Sequence, residues 1–473
     1  MIKLDKFYIG GKFVKPQDSN KTISIIDPSN EKEIGIVSLG NINDVNFAVK
    51  SAKKAFKTSI KLSKIEKLEL LKNFYENYKK RFNEIADAIR TEMGAPSNLA
   101  KGAQTAVGLG HIKTAIDVLE KKEFEYKHNQ FLIREEPIGV CGLITPWNWP
   151  INQIVSKVAP AIGAGCTVIL KPSEIAPLSA MIIAEIIDKC GLPDGMFNLI
   201  NGEGNDVGEA MSAHKDIDMM SFTGSTRGGI SVASTGAKTV KRISQELGGK
   251  SPNIIIDDDK FNESVSNGVN FVMSNSGQSC NAPTRMLIPK ERYHEAIKIA
   301  RDTASKLKVG DPNESNTDLG PLVSETQFKK VQNLIENGIS EGASVVIGGV
   351  GKPPNLDKGY YVKPTVFSNV KNNMEIAREE IFGPVLSMIS YSDIENAIEI
   401  ANDTDYGLAA YVSGEDQQKN IEIANQLRAG QVSINYKSYG PSVPFGGFKQ
   451  SGNGREKAEW GLSEFLETKA IMY

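Results

Sequence analysis

Short apolar segments, separated by helical patterns, run through the middle of the chain. A helical pattern spans Pro177 to Lys189, and Gly191 lies just beyond its end. Five apolar segments predict strands at Val140–Ile144, Val168–Leu170, Phe197–Ile200, Met219–Phe222 and Ile254–Ile256. Strands that alternate with helices form parallel sheets covered on both faces. The pattern therefore predicts an α/β fold whose ligands bind beyond the carboxyl ends of the strands.

The flanking regions follow other patterns. Residues 7–14 predict a hairpin on Gly10-Gly11, and Ser63 with Glu66 forms a capping box that opens a long helix. A second α/β unit begins near residue 250. Residues 124–133 alternate about a polar tip and predict a strand pair. A surface hairpin and an arm that pairs with another subunit are both open interpretations of this pair.

Composition narrows the class of protein. The chain has 473 residues, 40% of them hydrophobic and 24% charged, which is typical of a soluble globular protein with two or three domains. The formal net charge of −2 gives no electrostatic reason to expect nucleic acid or an anionic membrane. The longest apolar run, Val158–Leu170, is too short to span a bilayer and contains Pro160. Since Met1–Lys6 has no apolar signal core either, we expect a cytoplasmic protein.

The cysteines and histidines limit the chemistry. Three cysteines, Cys141, Cys166 and Cys190, lie in apolar or helix-end contexts, and no cysteine pair has CxxC spacing. We therefore expect free thiols in a reducing compartment. The four histidines are scattered, without the spacing of metal ligands, so no metal site is predicted.

Cys280 differs from the other cysteines because it lies in a polar segment of small residues, Ser274–Asn281. This is the setting in which a reactive thiolate is found. Glu246 lies 34 residues earlier, and Asn148 lies between two tryptophans in Pro146–Pro150. A nucleophile, a carboxylate and an amide donor are what acyl transfer requires. By spacing alone, a structural cysteine and a turn asparagine remain the more frequent interpretation.

Several ordered motifs extend beyond these three residues. With them, the chain resembles the aldehyde dehydrogenase superfamily, in its hydrolytic, non-acylating branch. The motifs occur in family order over about 300 residues, and they are Pro146–Pro150, Lys171–Glu174, Phe222–Thr226, Glu246–Pro252, Gly277–Cys280, Glu379–Val385 and Pro444–Lys449.

The resemblance implies an architecture and an assembly. Residues 1–117 and 138–249 would form a Rossmann-like, parallel-sheet NAD-binding domain, and residues 250–448 a second α/β domain that carries catalysis. Residues 118–137 and 449–473 would form a small β oligomerisation arm. A homodimer or homotetramer is the implied assembly.

The resemblance also implies a cofactor site for NAD. Neither glycine-rich segment, 202–208 or 224–229, has the GxGxxG spacing, and the family departs from that fingerprint in the same way. Lys171 and Glu174 match positions that reach the adenosine ribose. A carboxylate there would repel a 2′-phosphate, so NAD is expected over NADP. The implied cofactor residues are Ile144, Thr145, Pro146, Trp147, Lys171, Ser173, Glu174, Gly204, Phe222, Gly224, Ser225, Leu247, Glu380 and Phe382.

The implied reaction is oxidation of an aldehyde to a carboxylic acid. Cys280 would attack the carbonyl, Asn148 would stabilise the oxyanion, and Glu246 would activate the water that hydrolyses the thioester. Glu456 matches a family glutamate near the water path. Two alternatives stay open: transfer of the acyl group to coenzyme A, which members lacking this glutamate perform, and a non-catalytic protein with the same fold.

The sequence leaves the aldehyde undefined. The family sets specificity in segments that correspond here to loops around 153–157, 272–279 and 435–443. Tyr436, Lys437 and Tyr439 give the last of these no strong charge pattern. We therefore expect a broad activity, with Lys437 as a candidate partner for an acidic group.

Overall fold

The computed structural model describes residues 1–18, 20–438 and 440–473. Its strands, in chain order, are β1 Ile2–Leu4, β2 Phe7–Ile9, β3 Lys12–Val14, β4 Thr22–Asp27, β5 Lys32–Ser38, β6 Glu125–His128, β7 Phe131–Pro137, β8 Val140–Ile144, β9 Thr167–Lys171, β10 Phe197–Leu199, β11 Met219–Thr223, β12 Arg242–Glu246, β13 Pro252–Ile255, β14 Arg285–Pro289, β15 Ser344–Ile347, β16 Thr365–Ser368, β17 Val385–Tyr391, β18 Ala409–Ser413, β19 Gln431–Ile434, β20 Gly452–Asn453 and β21 Leu466–Ile471.

Helices cover both faces of the sheets. They are α1 Ile42–Ser59, α2 Lys64–Lys80, α3 Phe82–Met93, α4 Ser97–Leu99, α5 Ala106–Lys121, α6 Pro150–Ala164, α7 Pro177–Ile187, α8 Glu209–Ala213, α9 Thr226–Gly236, α10 Phe261–Met273, α11 Tyr293–Ala304, α12 Glu325–Ser340, α13 Glu375–Arg378, α14 Ile394–Asn402, α15 Gln417–Ala424 and α16 Ala458–Glu464.

The first large sheet contains four of the five predicted strands. Within the described residues its order is β20-β12-β11-β8-β9-β10-β2-β3, and β12, β11, β8, β9 and β10 run parallel. Strands β8, β9 and β11 are buried along their whole length, which explains their continuous apolar sequence. The predicted hairpin is β2 and β3, and it adds the antiparallel edge of this sheet.

The second large sheet follows the order β15-β16-β17-β14-β13-β18-β19, and its pairs are parallel except for β15 with β16. The fifth predicted strand is β13, and it lies between β14, the next strand along the chain, and β18. The α/β prediction with parallel sheets is therefore confirmed.

Two smaller sheets lie outside these layers. The predicted strand pair is β6 and β7, and the C-terminal strand β21 pairs with β7 over Leu466–Ile471. The segment 449–473 also contributes a strand to the first large sheet, because β20 pairs with β12 at the edge of that sheet. Strands β1, β5 and β4 form a sheet that the sequence patterns did not indicate. The domain boundaries stay a prediction.

The site region lies where several parallel strands end together. Ile144 is paired with Lys171 and with Phe222, and Thr223 is paired with Glu246, so these strand ends share one edge of the sheet. The predicted capping box at Ser63 is present and opens α2. Among the described residues, the model has no helix with the length and apolar character of a membrane span. A cytoplasmic location stays a prediction.

Candidate active site

The segment before Cys280 has a backbone conformation that few residues adopt. Directly after α10, φ is +54° at Asn275, +53° at Ser276 and +73° at Gly277. A Cβ atom on Gly277 would lie 1.9 Å from the carbonyl oxygen of Gly383. Only glycine permits this approach, so the turn is packed directly against the residues that precede β17. The polar sequence around the thiol is thus a rigid turn, which fixes where Cys280 lies.

Buried amides position Asn148 beside this turn. Its side chain, which is 3% exposed, donates from Nδ2 to the carbonyl oxygen of Gln278 at 3.0 Å. Asn275 Nδ2 donates to the same carbonyl and to the carbonyl of Asn148, both at 3.1 Å. Gln104 Nε2 in turn donates to Asn275 Oδ1 at 3.0 Å. Because an amide nitrogen carries two hydrogens, Asn148 keeps a second N–H for a ligand.

Glu246 ends β12 and is 2% exposed. Both of its carboxylate oxygens are buried without a hydrogen-bond partner among the described residues. Burial raises its pKa well above the ordinary value, and the carboxylate of Glu456 adds to the rise, while Lys157, Arg455 and Lys457 oppose it. A carboxyl group of raised pKa is suited to accept a proton from water near neutral pH.

The environment of Cys280 favours the neutral thiol. Burial raises its pKa to about 12, and the negative charges of Glu380 and Glu246 contribute to the rise, while Lys457 lowers it. The polar sequence indicated a site that favours the thiolate, and the structure shows the reverse in the absence of ligands. The thiol therefore needs a proton acceptor when it attacks. Glu246 lines the same cavity and can take that proton.

This cavity, of about 190 Å³, brings the three candidate catalytic residues together with part of the predicted cofactor set. Trp147 and Phe382 meet edge to face in its wall, with ring centroids 5.4 Å apart. Glu380 accepts a hydrogen bond at 2.8 Å from the backbone nitrogen of Gly249. A Cβ on Gly249 would lie 2.4 Å from the carbonyl oxygen of Cys280. The predicted residues that line the cavity are Pro146, Trp147, Asn148, Gly224, Ser225, Glu246, Leu247, Cys280, Glu380 and Phe382.

The remaining predicted cofactor residues lie along the neighbouring strand ends. Lys171 Nζ donates to Glu174 Oε2 at 3.0 Å and to the carbonyl oxygen of Gly202 at 2.6 Å. Ser173 Oγ accepts from the backbone nitrogen of Ile175 at 3.3 Å. Ile144, Thr145 and Phe222 are buried at the ends of β8 and β11, and Gly204 begins a short helical turn that leads into α8. These residues do not line the cavity around Cys280.

The cavity and the strand ends beside it carry groups that suit parts of a dinucleotide. Ser225 caps α9, so the turn at Gly224-Ser225 presents the N-terminus of that helix, where backbone N–H groups bind phosphate. The hydroxyl of Thr223 is buried without a hydrogen-bond partner among the described residues and lines the cavity. That of Thr145 is also buried and unpartnered within the described part of the chain. Buried polar groups of this kind are normally satisfied, so the Thr223 hydroxyl is available to a polar ligand in the cavity.

A second, larger cavity of about 590 Å³ begins one residue beyond the thiol, at Asn281. Three aromatic rings in its wall pack together: Tyr436 stacks on Phe271 at 5.9 Å and on Tyr411 at 6.0 Å between centroids. Tyr411 donates to the carbonyl of Asn281 at 2.8 Å, and Tyr436 donates to the carbonyl of Ser264 at 2.8 Å. The rings are therefore held in place and leave an apolar surface beside the thiol.

Comparison with known proteins decides the family. The family model described as "Aldehyde dehydrogenase family" matches residues 13–471. A 3-succinoylsemialdehyde-pyridine dehydrogenase from a Pseudomonas species is 49% identical over 468 residues, which is 99% of this chain and 98% of the relative. The chain belongs to the aldehyde dehydrogenase family. The family predicted from the sequence is thereby confirmed, and with it aldehyde oxidation as the class of reaction.

Solved structures of aldehyde dehydrogenases agree with this assignment. A mutant of aldehyde dehydrogenase C from Pseudomonas syringae, in complex with NAD⁺ and octanal, is 48% identical with a TM-score of 0.98, covering 99% of this chain and 96% of that one. An aldehyde dehydrogenase from Mycobacterium tuberculosis, complexed with NAD⁺, is 36% identical with a TM-score of 0.97. The match covers 100% of this chain and 98% of that one.

The structure of this aldehyde dehydrogenase adds residues that the sequence did not single out. Lys157, which is 1% exposed, pairs with Glu456 and donates to Ser221 Oγ at 2.8 Å. Gln104, Asn275 and Gln278 form the amide network around Asn148. The sequence did contain a signal for Lys157, because it is a charged residue within a helical segment that is otherwise mostly apolar. The amides of the network carry no sequence signal, because the bonds that join Gln104 to Asn275 and Asn275 to Asn148 connect residues far apart in the chain.

The expected specificity loops need correction. Residues 153–157 lie within helix α6, because Pro150 occupies its first turn and apolar residues continue to Ala164. Lys437 is exposed and lines the second cavity. Tyr439 lies outside the described residues. Among the residues that the structure describes, no cluster of three or more histidine, cysteine or acidic side chains could hold a metal ion.

Proposed function

We propose that this aldehyde dehydrogenase oxidises an aldehyde to the carboxylic acid with NAD, through a thioester on Cys280 that Glu246-activated water hydrolyses. The observation that carries the proposal is that Cys280, Asn148 and Glu246 line one cavity with the residues expected to hold the cofactor. When bound, the nicotinamide dinucleotide supplies the acceptor for the hydride. Trp147, Glu380 and Phe382 would hold its nicotinamide half, and the turn at Gly224-Ser225 its pyrophosphate.

The chain's own residues perform the remaining steps. Glu246 accepts the thiol proton as the sulfur of Cys280 bonds to the carbonyl carbon, and the second N–H of Asn148 donates to the oxyanion. Loss of the hydride converts the tetrahedral adduct into a thioester. Glu246 loses the thiol proton to solvent before it takes a proton from the water that attacks the thioester. As the adduct collapses to the carboxylic acid, Glu246 returns this proton to the sulfur of Cys280. Lys157 and Glu456, which are paired nearby, hold charge close to Glu246.

A preference for NAD over NADP follows from Glu174. Its side chain is 29% exposed and is held by Lys171, beside the expected adenosine ribose. A carboxylate there accepts a hydrogen bond from the 2′-hydroxyl and repels a 2′-phosphate. The same Lys171 is already committed to Glu174 and two backbone carbonyls, which limits its capacity to bind a phosphate instead.

Two further points belong to the proposal. The apolar wall of the second cavity suits a hydrocarbon aldehyde of the kind bound by the Pseudomonas syringae relative, and octanal is a reasonable first substrate.

Self-association through the sheet of β6, β7 and β21 is also proposed, because β6 is exposed along its whole length.

The experiment that tests the proposal is an absorbance assay at the reduced-nicotinamide band with octanal and NAD, with and without coenzyme A. Formation of reduced cofactor and octanoic acid without coenzyme A is expected. An absolute requirement for coenzyme A would favour the acylating alternative, for which Glu246 would have no use. Absence of cofactor reduction with a panel of aldehydes would favour a non-catalytic protein.

A further inference from the structure

Lys457 occupies an unusual place in the wall of the second cavity. It follows Glu456 directly, and its backbone has φ +72° and ψ 156°. This region of backbone space is almost restricted to glycine, and other residues are found there when the surrounding structure holds them, most often at functional sites. The following residue, Ala458, also has a positive φ of +47°. The chain is thus constrained at the point where the lysine side chain enters the cavity wall.

The ammonium group of Lys457 is not paired. Among residues 1–18, 20–438 and 440–473, no hydrogen bond or ion pair involves its Nζ, which lies 4.3 Å from the centroid of the Phe445 ring. Lys157 is the opposite case, because its ammonium is satisfied by Glu456 and Ser221. Since a partly buried cation without a hydrogen-bonding partner is costly, Lys457 has the capacity to bind an anion from the cavity.

Lys457 interacts electrostatically with the proposed reacting groups, Cys280 and Glu246. Burial lowers its pKa, and the negative charges of Glu456, Cys280 and Glu246 oppose this fall. Two exposed lysines, Lys260 and Lys437, line the same cavity together with a single carboxylate, that of Glu415. The described wall of the cavity is therefore basic, and an anion that enters meets attractive charge on the way to Lys457.

We propose that Lys457 pairs with a carboxylate at the far end of the substrate and so selects aldehydes that carry a terminal acid group. The inference rests on the proposed function, because it assumes that the aldehyde reaches Cys280 through the second cavity. It replaces the broad activity expected from the sequence with a preference, and it moves the acid-binding role from Lys437, at the exposed surface, to a lysine beside the thiol. Neutral aldehydes remain substrates because the aromatic wall accepts hydrocarbon chains.

The test compares kcat/KM for succinic and adipic semialdehyde with kcat/KM for their methyl esters, which have no negative charge. Wild-type protein should prefer the acids. Lys457→Met should lower kcat/KM for the acids by about ten- to a hundredfold, mainly through KM, because the opposite charge is lost in a partly shielded site. The values for the esters should fall by a smaller factor, equal to that for octanal, because loss of the Lys457 charge also raises the pKa of Cys280 and of Glu246. Lys457→Arg should restore most of the preference, and Lys121→Met, which removes an exposed lysine at the end of α5, should leave the ratio unchanged.

Several outcomes would overturn the inference. Equal losses for acids and esters in Lys457→Met would show that the lysine acts on the thiol or on Glu246 and not on the substrate. Loss of acid preference in Lys437→Met but not in Lys457→Met would return the role to the surface lysine. If wild-type protein oxidised none of these substrates, whether acids, esters or octanal, the proposed function itself would be contradicted.

A measurement without mutation guards against a variant that fails to fold. Succinate and butyrate have the same carbon chain length, and succinate carries the additional carboxylate. In wild-type protein, succinate should compete with octanal about tenfold more strongly than butyrate does, because its second carboxylate pairs with Lys457. Equal inhibition by the two acids would contradict the inference.

Discussion

The cavity that contains Cys280 and the second cavity, which begins at Asn281, are built by different means. Apart from Gln327 and Lys330 of helix α12, the smaller cavity is lined by residues from short motifs that contain a glycine or proline or lie a few positions from one. The larger cavity is lined by Phe271, Tyr411, Tyr436 and Lys457, which come from four separate elements and share no motif. On the proposed function, the first would hold what every substrate of the reaction needs, and the second would hold what distinguishes one aldehyde from another.

The difference teaches where the chemistry is fixed and where it is adjustable. On the first side, Gly249 touches Cys280 and Gly277 touches Gly383, so a single added methyl group would displace the thiol or its turn. On the second side, the three aromatic rings pack against one another through their side chains, so we expect substitutions there to change shape and charge more than backbone position. We therefore expect changes in the first cavity to alter the rate of every reaction and changes in the second to alter the ranking of substrates.

Removal of the thiol gives the largest expected effect. Cys280→Ala should lower kcat with every aldehyde by about 10⁴-fold or more, because no other thiol among the described residues lines the cavity. The variant should still bind NAD, which can be monitored through quenching of Trp147 fluorescence. Retained binding would show that the variant is folded. Substantial cofactor reduction by Cys280→Ala would refute the covalent route.

The oxyanion donor comes next. Asn148→Ala should lower kcat by about 10²–10³-fold, which corresponds to the loss of one preorganised donor. Asn152→Ala is the matched control: Asn152 lies four residues further on, contacts His111 at 2.7 Å and does not line the cavity. Similar losses in the two variants would indicate a defect of helix α6 and not the loss of a donor.

A pH profile tests the electrostatics of Glu246. Because its pKa is raised, the carboxyl group is protonated and inactive as a base at low pH, so kcat should rise with pH until Glu246 is ionised. Glu456→Gln removes a negative charge that raises the pKa of Glu246. The substitution also frees Lys157 from its ion pair, and the positive charge of Lys157 lowers the pKa of Glu246. The rising limb of the profile should therefore move to lower pH. A limb that stays in place would mean that another group controls it.

The choice of cofactor should change least. Glu174→Gln should improve kcat/KM with NADP by about fivefold, the low end of the range for like charges, because the group is partly exposed. Glu120→Gln, an exposed acid on α5, serves as the control and should have no effect. If Glu174→Gln used NADP no better than wild type, Glu174 would not face the 2′ position.

The sequence was informative where a motif imposes a backbone. The strands Val140–Ile144 and Met219–Phe222 were predictable because they are buried on both faces and end at the site. The amide network of Asn148 was not, because Gln278 and Asn275 act through backbone carbonyls that only the folded turn brings together. Lys457 looked like one more charged residue in the C-terminal segment. The absence of a hydrogen-bond or ion-pair partner for its ammonium among the described residues is a property of packing, which sequence patterns do not carry.

The central claim is that Cys280 carries the acyl group and that Glu246 releases it. The most direct measurement is intact-protein mass spectrometry of Glu246→Gln after mixing with NAD and octanal, together with the amount of reduced cofactor formed. The account predicts one burst of reduced cofactor per active site and a mass increase equal to one octanoyl group on Cys280. Steady turnover by Glu246→Gln, with no acyl group on the protein, would contradict it.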